Sequence, residues 1–217
     1  MSSIAERLDS IKATLPSGVE LAAVSKFHPV EALMEAYRAG QRVFCESRAA
    51  ELAMKAEALP PDIEWHFIGH LQTNKVKTVV PWVSVIQSID SERLLRAVDA
   101  EASKIGRRVK VLLQVHVAAE ETKTGLTPDE LIALAADASS LQSTEIAGVM
   151  GMATNTDDES RIEADFRAIA DVAGRLRGLI PGATTLSMGM SHDYGIAVKC
   201  GSNMVRIGTF IFGEREY

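Results

Sequence analysis

Cysteine is scarce in this sequence, with only Cys45 and Cys200 among 217 residues. Two thiols cannot brace a domain of this size with disulfides, and their spacing is not that of metal ligands. The chain also lacks an apolar run long enough to cross a membrane, and its amino terminus lacks the basic start and apolar stretch of a signal peptide. We therefore expect two reduced, partly buried thiols in a cytoplasmic protein with no membrane partner.

A concentrated block of basic residues is also missing. The chain carries 23 lysines and arginines against 29 acidic residues, for a formal net charge of -6 at pH 7. Binding to nucleic acid requires a cluster of positive side chains that neutralises a row of phosphates. The composition therefore argues against nucleic acid as a partner and against nonspecific association with a membrane surface.

The sequence does contain a regular alternation of apolar, β-rich runs with helical patterns. The runs are continuously apolar, which indicates parallel strands that are covered on both faces. We predict strands over residues 21–25, 43–45, 65–68, 83–87, 109–116, 145–150, 184–187 and 204–207. We predict helices between them over residues 29–39, 48–59, 71–79, 91–104, 128–138, 157–179 and 192–200.

Eight strands that alternate with helices favour an α/β fold with a single (β/α)8 TIM barrel over residues 1–217. Residues 1–18 would form an amino-terminal helix that packs on the barrel. The alternative is an open doubly wound sheet, which usually has fewer strands. A nucleotide-binding sheet would also carry a glycine fingerprint in its first βα turn, where this chain has SKFHP. In a barrel, functional groups collect at the carboxyl ends of the strands.

Lys26 lies at the end of the first predicted strand, in LAAVSKFHPVEAL. It is either a solvated loop charge or a functional amine. Partial enclosure at a barrel mouth removes hydration and lowers the pKa of an amine from about 10.4, which makes it a better nucleophile at neutral pH. The usual task of such a lysine is a Schiff base with a carbonyl compound.

Two small, donor-rich turns follow the last two predicted strands. Ser187, Gly189 and Ser191 lie in LSMGMS, where backbone N–H groups and hydroxyls precede a helix. Gly208 and Thr209 follow the eighth strand. Barrels often bind phosphate at strands seven and eight, although serine caps and glycine turns are common in any α/β protein. The two turns together predict a phosphate site.

Arg206 lies within the last predicted strand, flanked by Val205 and Ile207. Its side chain points to the opposite face from its two neighbours, and an unpaired guanidinium would be costly to bury. The residue is therefore either a structural ion-pair partner or a group that faces a heteroatom of a ligand.

Several long motifs carry a resemblance to a known family: AVSKFHP, WHFIGHLQTNKVK, LLQVHVAAEETKTG, LSMGMS and VRIGTFIFGEREY. From about residue 20 onwards the chain closely resembles the pyridoxal 5′-phosphate (PLP) homeostasis proteins, which are related to the barrel domain of alanine racemase. The resemblance implies a PLP-binding barrel without a second domain. It also implies that Lys26 forms the internal aldimine, that residues 187–191 with Gly208 and Thr209 cradle the phosphate, and that Arg206 faces the pyridine nitrogen.

An arginine at the ring nitrogen has chemical consequences. A carboxylate there keeps the nitrogen protonated and makes PLP a strong electron sink, whereas Arg206 would do the opposite. Racemisation would also need a second acid/base group opposite Lys26; alanine racemase takes that tyrosine from a second domain, for which we expect no room in this chain. The hypothesis is a monomeric PLP carrier that hands the cofactor to apo PLP-dependent enzymes. The alternatives are a weak single-domain amino-acid racemase and a barrel enzyme that uses Lys26 on a sugar phosphate.

The sequence departs from the family's usual pattern at three positions near the expected site. Cys45 replaces a glycine, Ser47 replaces an asparagine expected near the cofactor ring, and His28 replaces a second lysine. These departures put the contacts on that side of the ring in question. Lys123, in EETKTG, matches the family's loop lysine and is a candidate secondary PLP site, or equally a solvated charge.

The motif WHFIGHLQTNK contains two histidines and an asparagine that could bind a ligand or a metal. No carboxylate or cysteine completes a ligand set with His66 and His70, so we predict no metal site. We expect His70 and Asn74 to line the barrel mouth, close to the cofactor, or to hold its loops.

Overall fold

The computed structural model describes residues 2–117 and 124–214, and in these ranges parallel strands close into a barrel in chain order. The strands are β1 (Glu20–Val24), β2 (Val43–Glu46), β3 (Glu64–Phe67), β4 (Val83–Ile89), β5 (Val109–Gln114), β6 (Thr144–Met150), β7 (Thr185–Ser187) and β8 (Met204–Ile207). The helices are α1 (Ile4–Thr14), α2 (Val30–Arg38), α3 (Ala49–Ala58), α4 (Val76–Val79), α5 (Glu92–Lys104), α6 (Pro128–Ala136), α7 (Glu159–Leu179), α8 (Tyr194–Lys199) and α9 (Thr209–Phe212).

The pairing of the first strand with the last closes the sheet. In register, Ala22 of β1 is the partner of Arg206 in β8, and Ala23 is the partner of Phe44 in β2. An open doubly wound sheet would leave β1 and β8 apart. The structure therefore confirms the predicted (β/α)8 TIM barrel, and the continuous apolar runs are its strands, covered inside by side chains and outside by helices.

Most element boundaries agree with the prediction to within two residues, and the differences have local causes. The fifth strand ends at Gln114 instead of residue 116, because Val115 leaves the ladder for an isolated bridge with Leu126. The helix predicted over residues 71–79 is a 3₁₀ turn, Thr73–Lys75, followed by α4. The seventh predicted helix begins at Tyr194, because residues 191–193 form a turn. The short helix α9 after β8 was not predicted.

Capping chemistry explains where two helices begin. At α6, the Thr127 hydroxyl accepts from the Glu130 backbone N–H, and the Glu130 carboxylate accepts from the Thr127 N–H. Ser3 and Glu6 form the same reciprocal pair at α1. Such a capping box satisfies two backbone donors that would otherwise have no helical acceptor. The caps therefore account for the first residue of these two helices.

The amino-terminal helix α1 packs on the barrel through Ile4, Leu8 and Ile11, which are all buried. Arg7 Nε donates to the carbonyl of Ile211 at 2.6 Å, which ties α1 to the chain after β8. That all of residues 1–217 form one domain stays a prediction. None of the helices in the described ranges combines the length and the apolar character that crossing a bilayer requires.

The two cysteines lie in different surroundings. Cys45 is fully buried in a small apolar cluster with Ala22, Val43 and Met204, whereas Cys200 is only partly buried. Both thiols are free. Burial raises the pKa of the Cys45 thiol above its ordinary value, so this group is an apolar filler and not a nucleophile.

Candidate functional site

A cavity of about 250 Å³ opens at the carboxyl ends of the barrel strands. Its volume lies just below the range of roughly 300–1,000 Å³ for small-molecule sites, so only a small ligand would fit. The cavity is lined by Val24, Lys26, Ile68, Met150, Met152, Met190, Ser191, His192, Arg206, Gly208 and Thr209. It therefore brings together an amine, a guanidinium and the two predicted turns.

Lys26 lies two residues after the end of β1, is half-buried and lines the cavity. The position is the one expected for a functional group in a barrel, at the carboxyl end of a strand. Of the two interpretations of this residue, a solvated loop charge and an amine in a ligand site, the geometry favours the second.

The turn after β7 requires glycine at position 189. Gly189 has φ +95°, and a Cβ built there would lie 2.6 Å from the Ala197 Cβ and 2.9 Å from the Tyr194 Cα. A Cβ on Gly208 would lie 3.0 Å from the carbonyl oxygen of Val24. A side chain at 189 would therefore collide with its neighbours, whereas one at 208 would need the Val24 backbone to shift slightly. Gly189 shapes the turn, whereas Gly208 lines the cavity itself.

Backbone donors point to the chemistry that these turns can bind. Within the described part of the chain, the backbone N–H groups of Ser191, Gly208 and Thr209 donate to no protein acceptor. All three residues line the cavity, and Ser191 is 7% exposed. A group of N–H and hydroxyl donors without internal acceptors, in a partly enclosed cavity, is suited to an anion such as a phosphate.

Arg206 is 4% exposed and is held by neutral acceptors. Its Nη1 donates to the Ser187 carbonyl at 2.8 Å and to the Ser187 Oγ at 2.7 Å, and its Nη2 donates to the Gly151 carbonyl at 2.9 Å. No carboxylate of the described ranges forms a salt bridge with it. Burial lowers the pKa of the guanidinium from its ordinary value, but an arginine remains a cation at neutral pH. The geometry thus favours a ligand-facing role over a structural ion pair.

Ser187 is not among the residues that line the cavity, and its predicted contact with the phosphate stays a prediction. It is fully buried at the end of β7, where its Oγ accepts from Arg206 and donates to Gln87 Oε1 at 2.7 Å. Gln87 Nε2 in turn lies 2.9 Å from His66 Nδ1. Burial lowers the pKa of His66 to about 4, so the imidazole is neutral and its Nδ1 accepts from the amide. A chain of buried polar groups thus runs from His66 to Arg206.

Three further predicted residues lie outside the cavity wall in the described ranges, and their contacts with the cofactor stay predictions. His70 is exposed and pairs with Asp90, with 2.9 Å between Nδ1 and Oδ2. Asn74 is exposed on the 3₁₀ turn. Ser47 packs against Gly69, where a Cβ would lie 2.3 Å from the Ser47 carbonyl oxygen.

Two predicted residues, His28 and Lys123, lie elsewhere in the chain. His28 stacks on Phe212, with 5.0 Å between the ring centroids. Lys123 lies outside the described residues. Among the described residues, no group of three or more His, Cys, Asp or Glu side chains is arranged to hold a metal ion.

Sequence reasoning missed three buried polar residues beneath or beside the cavity. Gln87 and Glu46 are fully buried, and Lys55 is 1% exposed. A signal existed for Lys55, since it shares the buried face of α3 with Leu52 at a spacing of three residues. A lysine on the apolar face of an amphipathic helix is expected to have a buried partner.

Comparisons with known proteins agree with this fold. Residues 1–216 match the family described as alanine racemase, N-terminal domain. A pyridoxal phosphate homeostasis protein of Schizosaccharomyces pombe is 38% identical, over 99% of this chain and 94% of its own length. Alanine racemase from Corynebacterium glutamicum is 15% identical, with a TM-score of 0.78 over 99% of this chain and 61% of its own; this likeness concerns the fold alone.

The structure of PipY from Synechococcus elongatus is known with and without PLP. The form without PLP is 40% identical to this chain, with a TM-score of 0.93 over 97% of this chain and all of PipY. The form with PLP bound is 39% identical, with a TM-score of 0.90 over the same shares of the two chains. On its match to the racemase barrel family and its full-length likeness to curated relatives, this chain belongs to the family of pyridoxal phosphate homeostasis proteins.

Proposed function

We propose that this protein binds PLP in the barrel-mouth cavity and serves intracellular PLP homeostasis, holding the cofactor as a Schiff base on Lys26. The observation that carries the proposal is that Lys26, Arg206 and the donors of Ser191, Gly208 and Thr209 line one small cavity. PLP presents an aldehyde, a pyridine nitrogen and a phosphate, and each has a complementary group there. Support also comes from PipY, a relative 39% identical, whose structure contains PLP.

Each group that lines the cavity would bind a different part of PLP. Lys26 would supply the amine, and the two turns would bind the phosphate through N–H and hydroxyl donors. Arg206 would donate to the pyridine nitrogen, which can accept only when it is unprotonated. Bound PLP supplies an electrophilic carbonyl, and its power as an electron sink depends on protonation of that nitrogen. A fixed guanidinium would therefore keep the ring poorly suited to stabilise a carbanion.

We infer from this arrangement a carrier without a committed catalytic cycle. The names of the curated relatives, which refer to homeostasis, support a role other than catalysis. The alternative is a weak single-domain racemase, which would interconvert the enantiomers of an amino acid. Incubation of the PLP-loaded protein with alanine and a panel of L-amino acids, followed by chiral chromatography, distinguishes the two: formation of D-amino acid above the level of free PLP would establish the racemase.

The proposal also covers the compartment, the oligomeric state and the recipients of the carrier. We propose a cytoplasmic monomer that is a single barrel unit over residues 1–217 and gives PLP to apo PLP-dependent enzymes. The free thiols of Cys45 and Cys200 support a reducing compartment. Light scattering tests the monomer, and transfer of PLP to an apo-aminotransferase, measured by recovery of its activity, tests the delivery. Lys123 remains a proposed secondary PLP site.

The first experiment is an absorbance spectrum of the purified protein with PLP, before and after borohydride, followed by peptide mass mapping. We expect a band near the edge of the visible range that disappears on reduction, with the pyridoxyl mass on Lys26. Lys26→Ala should abolish the band, whereas Lys75→Ala, which removes an exposed lysine that does not line the cavity, should retain it. A protein that PLP leaves colourless would refute the proposal and favour a barrel enzyme that acts on a sugar phosphate.

A further inference from the structure

Lys55 is a buried lysine whose three ammonium protons all have acceptors. The residue lies on α3 with 1% of its side chain exposed. Its Nζ donates to Glu46 Oε1 at 2.7 Å, to Glu51 Oε1 at 2.7 Å and to the backbone carbonyl of Ser25 at 2.8 Å. A lysine ammonium has three donors, so this geometry saturates it.

The contacts of this group reach the residue on each side of Lys26. Before it, the Ser25 carbonyl accepts from Lys55 and the Ser25 hydroxyl donates to Glu46 Oε1 at 2.7 Å. After it, the backbone N–H of Phe27 donates to Glu51 Oε1 at 2.6 Å. The Lys55 ammonium therefore binds the peptide carbonyl before Lys26 and the Glu51 carboxylate binds the peptide N–H after it, while Glu46 holds the Ser25 hydroxyl.

The backbone beside Lys26 adopts a conformation that needs such support. Phe27 has φ +69°, and among the described residues it is the only non-glycine residue with a positive φ. A side chain of L configuration is disfavoured there, so the surrounding contacts must hold it. The Glu51 carboxylate binds the Phe27 N–H, and the Arg48 guanidinium lies 4.3 Å from the centroid of the Phe27 ring.

Stability alone is a poor explanation for this buried group. Glu46 is fully buried, its Oε2 has no partner within the described ranges, and burial raises its pKa against the opposing effect of Lys55. Apolar side chains of similar volume would often hold α3 against the barrel equally well or better. Apolar side chains could not, however, bind the Ser25 carbonyl and the Phe27 N–H. What the ion group adds is a fixed backbone on both sides of Lys26.

We propose that Lys55, Glu46 and Glu51 form a clamp that sets the direction in which Lys26 extends into the cavity. This inference rests on the proposed function. In the affected step the Lys26 amine adds to the PLP aldehyde, a C=N bond forms, and the aldehyde oxygen leaves as water. The clamp residues are positioning residues: they touch neither the aldehyde nor the phosphate, and they act through the peptide groups of Ser25 and Phe27.

The test separates attachment from noncovalent binding. The rate of appearance of the Schiff-base band with PLP reports attachment, whereas pyridoxine 5′-phosphate, which lacks the aldehyde, reports binding to the cavity alone. Glu51→Ala removes the acceptor of the Phe27 N–H but leaves the ion pair of Lys55 with Glu46. Glu51→Gln retains an acceptor oxygen, and Glu57→Ala removes an exposed acid from the same helix as a matched control.

We expect Glu51→Ala to slow attachment by about tenfold while its affinity for pyridoxine 5′-phosphate stays near that of the wild type. Glu51→Gln should recover most of the rate, and Glu57→Ala should not differ from wild type. The proposed clamp is refuted if Glu51→Ala attaches PLP at the wild-type rate. It is also refuted if the attachment rate and the affinity for pyridoxine 5′-phosphate fall by equal factors. A wild-type protein that forms no band would instead overturn the proposed function, so the two failures are distinct.

Discussion

The guanidinium of Arg206 and the hydroxyl of Ser187 lie 2.7 Å apart, and this contact connects the cavity to the polar interior of the barrel. Ser187 can accept from Arg206 because its own proton is directed to Gln87. The orientation of a group that would face the cofactor is thus fixed by a residue that does not line the cavity.

Removal of the Ser187 hydroxyl should loosen Arg206. In Ser187→Ala the guanidinium retains the two backbone carbonyls but loses a buried acceptor, and a hydrogen bond of this kind contributes about 1 kcal/mol. We expect PLP affinity, measured by absorbance titration, to fall roughly fivefold. Ser84→Ala is the matched control, since Ser84 donates to the Trp65 carbonyl at the opposite end of the barrel. Equal affinities of both variants would show that the hydroxyl does not position Arg206.

The neutral state of His66 predicts a specific loss of stability in acid. The unfolded chain takes up a proton at an ordinary histidine pKa of 6.5, whereas burial lowers the pKa of His66 in the folded protein to about 4. The free energy of unfolding should therefore fall as the pH decreases from about 6.5 to 4 and level off below, with a full effect of about 3 kcal/mol.

The matched variant for this prediction is His66→Asn. The side-chain oxygen of the introduced asparagine can take the place of Nδ1 as the acceptor for Gln87, but the amide does not titrate. Urea unfolding at several pH values between 7.5 and 4.5 should show the wild type losing stability relative to the variant. Parallel curves would mean that His66 takes up its proton at the same pKa in the folded protein as in the unfolded chain.

The sequence predicted the architecture because the signals are local. Continuous apolar runs identified the strands, and a barrel then placed Lys26 and the two glycine-containing turns at the same mouth. The interior network had no local signal. Ser187 and Gln87 are 100 residues apart and Lys55 and Ser25 are 30 apart, so their contacts exist only once the barrel has closed.

Two further differences show the limits of pattern reasoning. The helix predicted over residues 71–79 is instead a 3₁₀ turn, Thr73–Lys75, followed by the four-residue helix α4. The stretch SKFHP contains no glycine or asparagine, the residues that usually adopt a positive φ, and so gave no sign of the conformation of Phe27.

Gly189→Ala should damage the turn after β7. An alanine at position 189 would have to adopt a positive φ, and its Cβ would press on the Ala197 Cβ and the Tyr194 Cα. We therefore expect a loss of about 1–3 kcal/mol in stability together with weaker PLP binding. Gly195→Ala on α8 is the control, because its Cβ meets no atom within 4 Å and alanine favours a helix. Denaturant unfolding and PLP titration of both variants test this; a stable, fully binding Gly189→Ala would show that the turn tolerates a side chain.

Substitution of Phe27 tests the strained backbone beside Lys26 without reference to any ligand. Phe27→Ala and Phe27→Gly both remove the ring that contacts Arg48, so the difference between them isolates the backbone. Alanine is normally the more stable of the two, because glycine makes the unfolded chain more flexible. At φ +69° the order should reverse, with the glycine variant more stable by about 1 kcal/mol in urea unfolding. An alanine variant that is the more stable of the pair would mean that residue 27 has a negative φ in solution and that the clamp has no strain to hold.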